Sequence, residues 1–291
     1  MNRLAIISGI IDSLKSINSI TDAQVKDLIA KVVSYTVNLS ELTIDPDPNN
    51  CVVYSPDEAT VVGLFVKQHK GFVMLTDAHY SGRLDSCWPI IRINYEAYIK
   101  MKYLIQEGKS AQREYRLLSF KNRYDIYKGY NTEDNPVADV FIYKFLEDIK
   151  AEGFAISDFE NVTNWKAFGG KSLKCLVDEI APDDKYLFQY ALMSDSIHSD
   201  WGDIRQLHLA SSNGNYVIKN EPEVYHERVV LSLVYSHILA LESFLKWYKN
   251  DFGAEIYRGE ETVSELKRVT CLIFLRFMNT YKNHPDVFVY E

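Results

Sequence analysis

The sequence has no Cys-x-x-Cys pair, no run of eighteen apolar residues and very few stretches that alternate apolar with polar. Each absence removes a class. The four cysteines, Cys51, Cys87, Cys175 and Cys271, lie far apart. That spacing suits neither a zinc ribbon nor a disulfide scaffold and fits a reducing compartment, so a cytoplasmic location is expected. Without an apolar run of bilayer length, no membrane span is expected. The scarcity of alternation argues against a large sheet. The sequence also lacks His-Glu-x-x-His, a complete glycine-rich phosphate loop and Gly-x-Ser-x-Gly. Zincin, P-loop and α/β-hydrolase chemistry therefore have no motif to stand on, and no cofactor is expected. Gly169-Gly170-Lys171-Ser172 looks like the end of a phosphate loop, but the leading glycine and a preceding buried strand are missing. No internal repeat or low-complexity tract occurs. The N-terminal run carries Asp12 and Lys15 and no small-residue cleavage site, so it reads as an amphipathic helix.

What is present is helical periodicity. The chain has 291 residues, 47% hydrophobic and 25% charged, ordinary values for a globular protein. At that length folding buries about three quarters of the unfolded chain's surface. The expected fold is all-α: a multi-helix bundle with an N-terminal helical hairpin and at most one small β-hairpin near 207–222. Thr21 and Gln24 form a capping-box pattern ahead of a helix that reaches about Leu42, with Val25, Leu28, Ile29, Val32 and Val33 on one side. Asp45-Pro-Asp-Pro-Asn-Asn50 is the clearest break, and it separates a hairpin over 1–44 from a main helical domain over 51–291. Ser55-Pro56-Asp57-Glu58 opens a helix to about Tyr80. A helix from about 85 to 108 follows. Further helices are expected over 110–129, 136–152, 171–180, 183–199, 223–250 and 260–282.

The net charge of −8 speaks against a general nucleic-acid binder. The charge is uneven, however. Between 100 and 128 eight cations face three carboxylates, leaving +5 there and −13 elsewhere. Lys109, Arg113, Arg116, Lys121 and Arg123 are interleaved with Tyr103, Tyr115, Tyr124, Tyr127 and Tyr130. Such a surface can hold a phosphate backbone and stack bases, which makes RNA a candidate partner. It serves equally as a solvated helix face set against acidic neighbours.

Two helical stripes carry the candidate site. Trp88, Arg92, Glu96, Ile99 and Tyr103 step by three or four residues, so a charged pair lies among apolar neighbours. Tyr186, Tyr190, Met193, Ser194, Ile197, His198 and Trp201 form the second stripe, with Ser194 and His198 one turn apart. Packed together, they bring Arg92 and Glu96 to Ser194 and His198. Arg92 would stabilise phosphate charge and His198 would move protons. Ser194 and His198 could also act as nucleophile and base, though no oxyanion donors are visible. The same four residues serve equally as a polar staple that fixes helix register. Asp195, His198, Asp200 and Asp203 do not converge on one helix face, so no metal site is expected.

"RINYE" followed by "YALMSDSIH" resembles a group of uncharacterised, mostly bacterial, all-helical proteins. These show an Arg-x-x-x-Glu helix and a later Tyr-x-x-[Leu/Met]-Ser-x-x-x-His helix end, and the likeness runs over residues 55–250. Their layout is distantly similar to the HEPN superfamily, which includes metal-independent RNases of phage-defence and toxin–antitoxin systems. Those RNases pair an arginine with a histidine roughly four to six residues further along one helix, across a dimer interface. Here Arg205 and His208 are too close, Arg228 and His237 too far apart, and His226 precedes Arg228. The nuclease motif therefore transfers to no residue pair. The resemblance implies a bacterial cytoplasmic toxin or defence component; the RNase-like site at Arg92, Glu96, Ser194 and His198 rests on residue type alone and not on the family. The alternative is a non-catalytic interaction or ligand-sensing module. In either case a partner protein would bind through the N-terminal hairpin, or a second copy would form a homodimer.

Overall fold

The computed structural model describes residues 22–44, 52–83, 87–129, 136–181, 201, 204, 209–212, 215–218, 227–253, 255–256 and 258–283. Among them the chain is helical almost throughout, as its periodicity requires. The helices are α1 (Asp22–Ile44), α2 (Glu58–Tyr80), α3 (Trp88–Glu107), α4 (Lys109–Ser119), α5 (Lys121–Gly129), α6 (Pro136–Ala151), α7 (Ile156–Glu160), α8 (Leu173–Ile180), α9 (Glu227–Phe252) and α10 (Gly259–Asn283). Strands β1 (Leu209–Ser212) and β2 (Asn215–Ile218) pair antiparallel, Leu209 opposite Ile218 and Ser212 opposite Asn215. That ladder lies inside the stretch where the sequence suggests a hairpin.

The chain divides into two interleaved compact units. The first comprises 1–51, 65–98 and 186–291, the second 52–64 and 99–185. The break expected at 45–50, the first arm of the N-terminal hairpin and the helix expected over 183–199 lie outside the described residues.

In the first unit α1, α9 and α10 pack pairwise on one another. The α1 stripe buries Val25, Leu28, Ile29, Val32 and Val33, then continues as Thr36, Leu39, Ser40 and Thr43, all at most 6% exposed. A helix can turn hydroxyls inward because the carbonyl four residues back accepts the proton. Thr36 donates to Val32 O (2.8 Å) and Thr43 to Leu39 O (2.7 Å). Val229–Phe252 of α9 is long and apolar enough to cross a membrane by length and composition, yet more than half of its most apolar window is buried within the fold. Val230, Val234, Ile238, Leu241 and Phe244 of α9 are core residues. Where α2 and α3 approach, Gly71 leaves space that Asn94 fills; a Cβ at position 71 would collide with the Asn94 amide. Asn94 Nδ2 donates to Gln68 O at 3.1 Å.

The second unit is built on aromatic rings. Tyr124, Phe145, Ile149, Phe154 and Phe159 are buried, with Leu117, Phe120, Tyr127, Ile156 and Trp165 packed against them. Ring centroids 5.3–6.4 Å apart fall in the favourable range for edge-to-face and offset stacking. The single helix expected over 110–129 is two, α4 and α5, joined at Phe120. The bend carries the Phe120 ring edge-on to Phe154 and Phe159 (6.4 and 6.2 Å). At the start of α2 the expected cap forms. Glu58 N donates to Ser55 Oγ (3.3 Å) and Ser55 N to Glu58 Oε2 (2.8 Å), a reciprocal capping box.

Candidate functional site

Arg92 and Glu96 lie one turn apart on α3, Nε to Oε1 3.2 Å, both half-buried. Their flank carries Ile99, fully buried, and Tyr103, as the stripe predicts. Ser194 and His198, like Asp195, Asp200 and Asp203, lie outside the described residues.

The basic segment is tied to acids of its own unit. Lys109 Nζ is 3.4 Å from Glu58, Lys121 Nζ 2.6 Å from Asp125, and Arg123 Nη2 2.7 Å from Asp148. Arg116 is the most enclosed, 8% exposed. It binds Asp57 Oδ1 at 2.5 Å, Glu152 Oε2 at 2.7 Å and the Glu152 carbonyl. Burial works against its charge, and the Glu152 and Asp57 carboxylates more than offset this, so its pKa rises. Arg113 lies over the Phe154 ring at 4.7 Å. The interleaved tyrosines turn inward: Tyr103 and Tyr124 are buried, and Tyr115 and Tyr127 are half-buried. Tyr103 and Tyr115 hold Phe168, which adopts a left-handed φ of 61° between them. Tyr130 lies outside the described residues.

A second polar cluster sits in the first unit, built on His237, which the sequence offers only in a discarded pairing with Arg228, and on Ser40, Gln68 and His69. His237 of α9 is 1% exposed. Its Nε2 is 2.8 Å from Ser40 Oγ of α1, and its Nδ1 is 3.0 Å from Gln68 Oε1 of α2. Phe72 stacks on the imidazole at 4.2 Å, and His69 is 6.0 Å away. An amide oxygen only accepts, so this arrangement puts the ring proton on Nδ1 and leaves Nε2 to accept from Ser40. With the Gln68 amide turned over, the same distances serve the other tautomer, and Ser40 then donates to Thr36 O at 2.8 Å. Burial, with His69 adding to it, pushes His237 down to about 3, so the ring is neutral. Burial also lowers His69, against the pull of Glu41 and with the push of Lys70. Among the described residues His69 Nδ1 has no hydrogen-bond partner.

Serine, histidine and glutamine in this order match a nucleophile, its base and an orienting group. The chemistry stops there. Ser40 is fully buried in the last turns of α1, where backbone N–H groups are bound to the preceding turn and none is left to hold an oxyanion. The cluster is a staple across α1, α2 and α9. A sequence signal existed: each residue is a polar substitution on an apolar stripe, such as Val230, Val234, His237, Leu241 and Phe244. What no periodicity shows is that residues 169 and 197 positions apart meet.

A family model matches residues 58–216, more than half of the chain. The chain belongs to a family of unknown function, DUF5677. The matched stretch runs from the start of α2 into β2. It contains Arg92, Glu96, Ser194 and His198, and also Gln68 and His69, whereas Ser40 and His237 lie on either side of it. No curated protein and no solved structure matches the chain.

Proposed function

We propose that the chain is a non-catalytic helical module that binds a partner protein or senses a ligand in the bacterial cytoplasm. The observation that carries this reading is the state of the basic segment. Lys109, Arg116, Lys121 and Arg123 each meet a carboxylate of the same unit, and Arg113 covers Phe154. The rings that would stack bases pack on one another instead. A phosphate backbone would have to displace these acids, and counterion release from already neutralised cations drives little binding. The free thiols of Cys87, Cys175 and Cys271 suit a reducing compartment.

A second reading keeps the HEPN likeness and an RNase-like toxin or defence role. It draws on the Arg92–Glu96 pair, whose side chains keep 18% and 26% of their surface in solvent, within reach of a substrate phosphate. His198 and Ser194 would complete that site. Titration of the full chain into fluorescent single-stranded RNA at low salt separates the two. The module reading expects no saturable change in anisotropy. Binding that weakens steeply with salt, and further in Arg113→Glu and Arg123→Glu, would replace it with the RNA reading.

A further inference from the structure

Helix α6 turns one face into the aromatic core through Phe145 and Ile149. Its apolar residues do not stop there. Val140 and Tyr143 are 54% and 65% exposed, and Leu146 is also in solvent. At about 100° per residue, Asp139, Tyr143, Leu146 and Lys150 fall on one stripe, well away from the stripe of Phe145 and Ile149. The stripe has an acid near its N-terminal end, two large apolar side chains in the middle and a base in its last turn. Neither Asp139 nor Lys150 forms an ion pair among the described residues.

This order is self-complementary about a twofold axis. Set two copies of α6 antiparallel, with the axis between residues 144 and 145. Asp139 then faces Lys150 of the second copy, Lys150 faces Asp139, and Tyr143 packs against Leu146 in both directions. The pattern is that of an isologous interface, in which one patch serves both partners. We propose that the Asp139–Tyr143–Leu146–Lys150 face of α6 is a homodimer interface, filled by a second copy of this chain in antiparallel register. A helix of this length spans about 24 Å. One such helix pair buries less than the ~1,200 Å² of standard complexes, so the dimer is a weak, reversible one of roughly micromolar affinity. It does not depend on whether the module or the RNA reading holds, because none of its residues belongs to either site.

Sedimentation velocity of the full chain over a concentration series tests it. The wild type is expected to show a reversible monomer–dimer equilibrium, weakened at least about tenfold by Tyr143→Gln or Leu146→Gln. Charge reversal tests the register. Asp139→Lys and Lys150→Asp each place like charges opposite one another twice, and each should be monomeric where the wild type dimerises. An equimolar mixture of the two should dimerise, and so should the double variant. Asp139→Lys also reduces the magnitude of the net charge of −8, so a general charge effect would strengthen association, the opposite of the expected result. These side chains are exposed, and circular dichroism of each variant confirms that its helices remain. A wild type monomeric at every concentration overturns the proposal and leaves the stripe to a different partner. Single reversals that still dimerise place the interface elsewhere. A mixture that stays monomeric overturns the antiparallel register. Single reversals that lower only the melting temperature show Asp139 and Lys150 serving the dipole of their own helix.

Discussion

Ser40→Ala is a one-atom test of the buried staple. It removes the hydroxyl that meets His237 Nε2 at 2.8 Å and leaves that nitrogen facing the interior, with the ring only 1% exposed. The void is smaller than a methyl group, so the cavity contribution is minor. The dominant effect is an imidazole nitrogen without a partner, about 1–3 kcal/mol. The serine itself loses little, because its bond to Thr36 O is internal to α1. The substitution should therefore depend on the histidine. In a His237→Leu background, Ser40→Ala should have almost no further effect, since the hydroxyl there answers only to Thr36. The double-mutant cycle then has a coupling energy of about 1–3 kcal/mol, nearly the whole effect of Ser40→Ala. Urea unfolding of wild type, both single variants and the double variant, followed by far-UV circular dichroism, measures it through the midpoints at constant slope. A Ser40→Ala loss under about 0.5 kcal/mol, or two single effects that simply add, would refute the staple.

Two further outcomes follow from the same unit. The folded-state pKa of His237 lies at about 3 against an ordinary 6.5, and that of His69 is lowered too. Above pH 6.5 both states hold a neutral ring and stability does not depend on it. Around and below that, the unfolded chain takes up protons that the folded chain refuses, so stability falls with a slope that steepens toward about 1.4 kcal/mol per pH unit, about 2 kcal/mol in all between pH 7 and 5 for His237 alone. Chemical denaturation between pH 7 and 5 should show this slope and a shallower one in His237→Leu; equal slopes would contradict it. Gly71→Ala should destabilise by about 1–3 kcal/mol through the collision with Asn94, and Asn94→Ala should recover part of that loss. If Gly71→Ala proves neutral in thermal melts, the close approach of α2 and α3 is not as described.

The helices were legible because local rules and burial agree. The α1 stripe of Val25, Leu28, Ile29, Val32 and Val33 is buried as its spacing demands, and Ser55 with Glu58 caps α2. The β-ladder sits inside 207–222, where one small hairpin is expected. The break at Phe120 was not legible. Nothing between 110 and 129 forbids a continuous helix, and at the bend Phe120 meets rings of α7 and of the turn before it, which are tertiary contacts. The basic segment could be read as charge but not as pairing, because the partners Asp57, Asp148 and Glu152 come from other elements. The staple shows the same limit. Polar residues on apolar stripes were visible one at a time, and only the fold says which of them meet. Arg92 and Glu96 were found as neighbours because one helix supplies both.

The most direct measurement of whether this chain does chemistry uses one variant and two readouts. Wild type and His198→Ala are compared for melting temperature and for cleavage of total RNA, with growth on induced expression as a cellular check. The interaction-module account predicts intact RNA and unimpaired growth for both proteins, with His198→Ala changing at most the melting temperature. RNA cleavage and growth arrest by the wild type, abolished in a His198→Ala protein that melts at the same temperature, would contradict it.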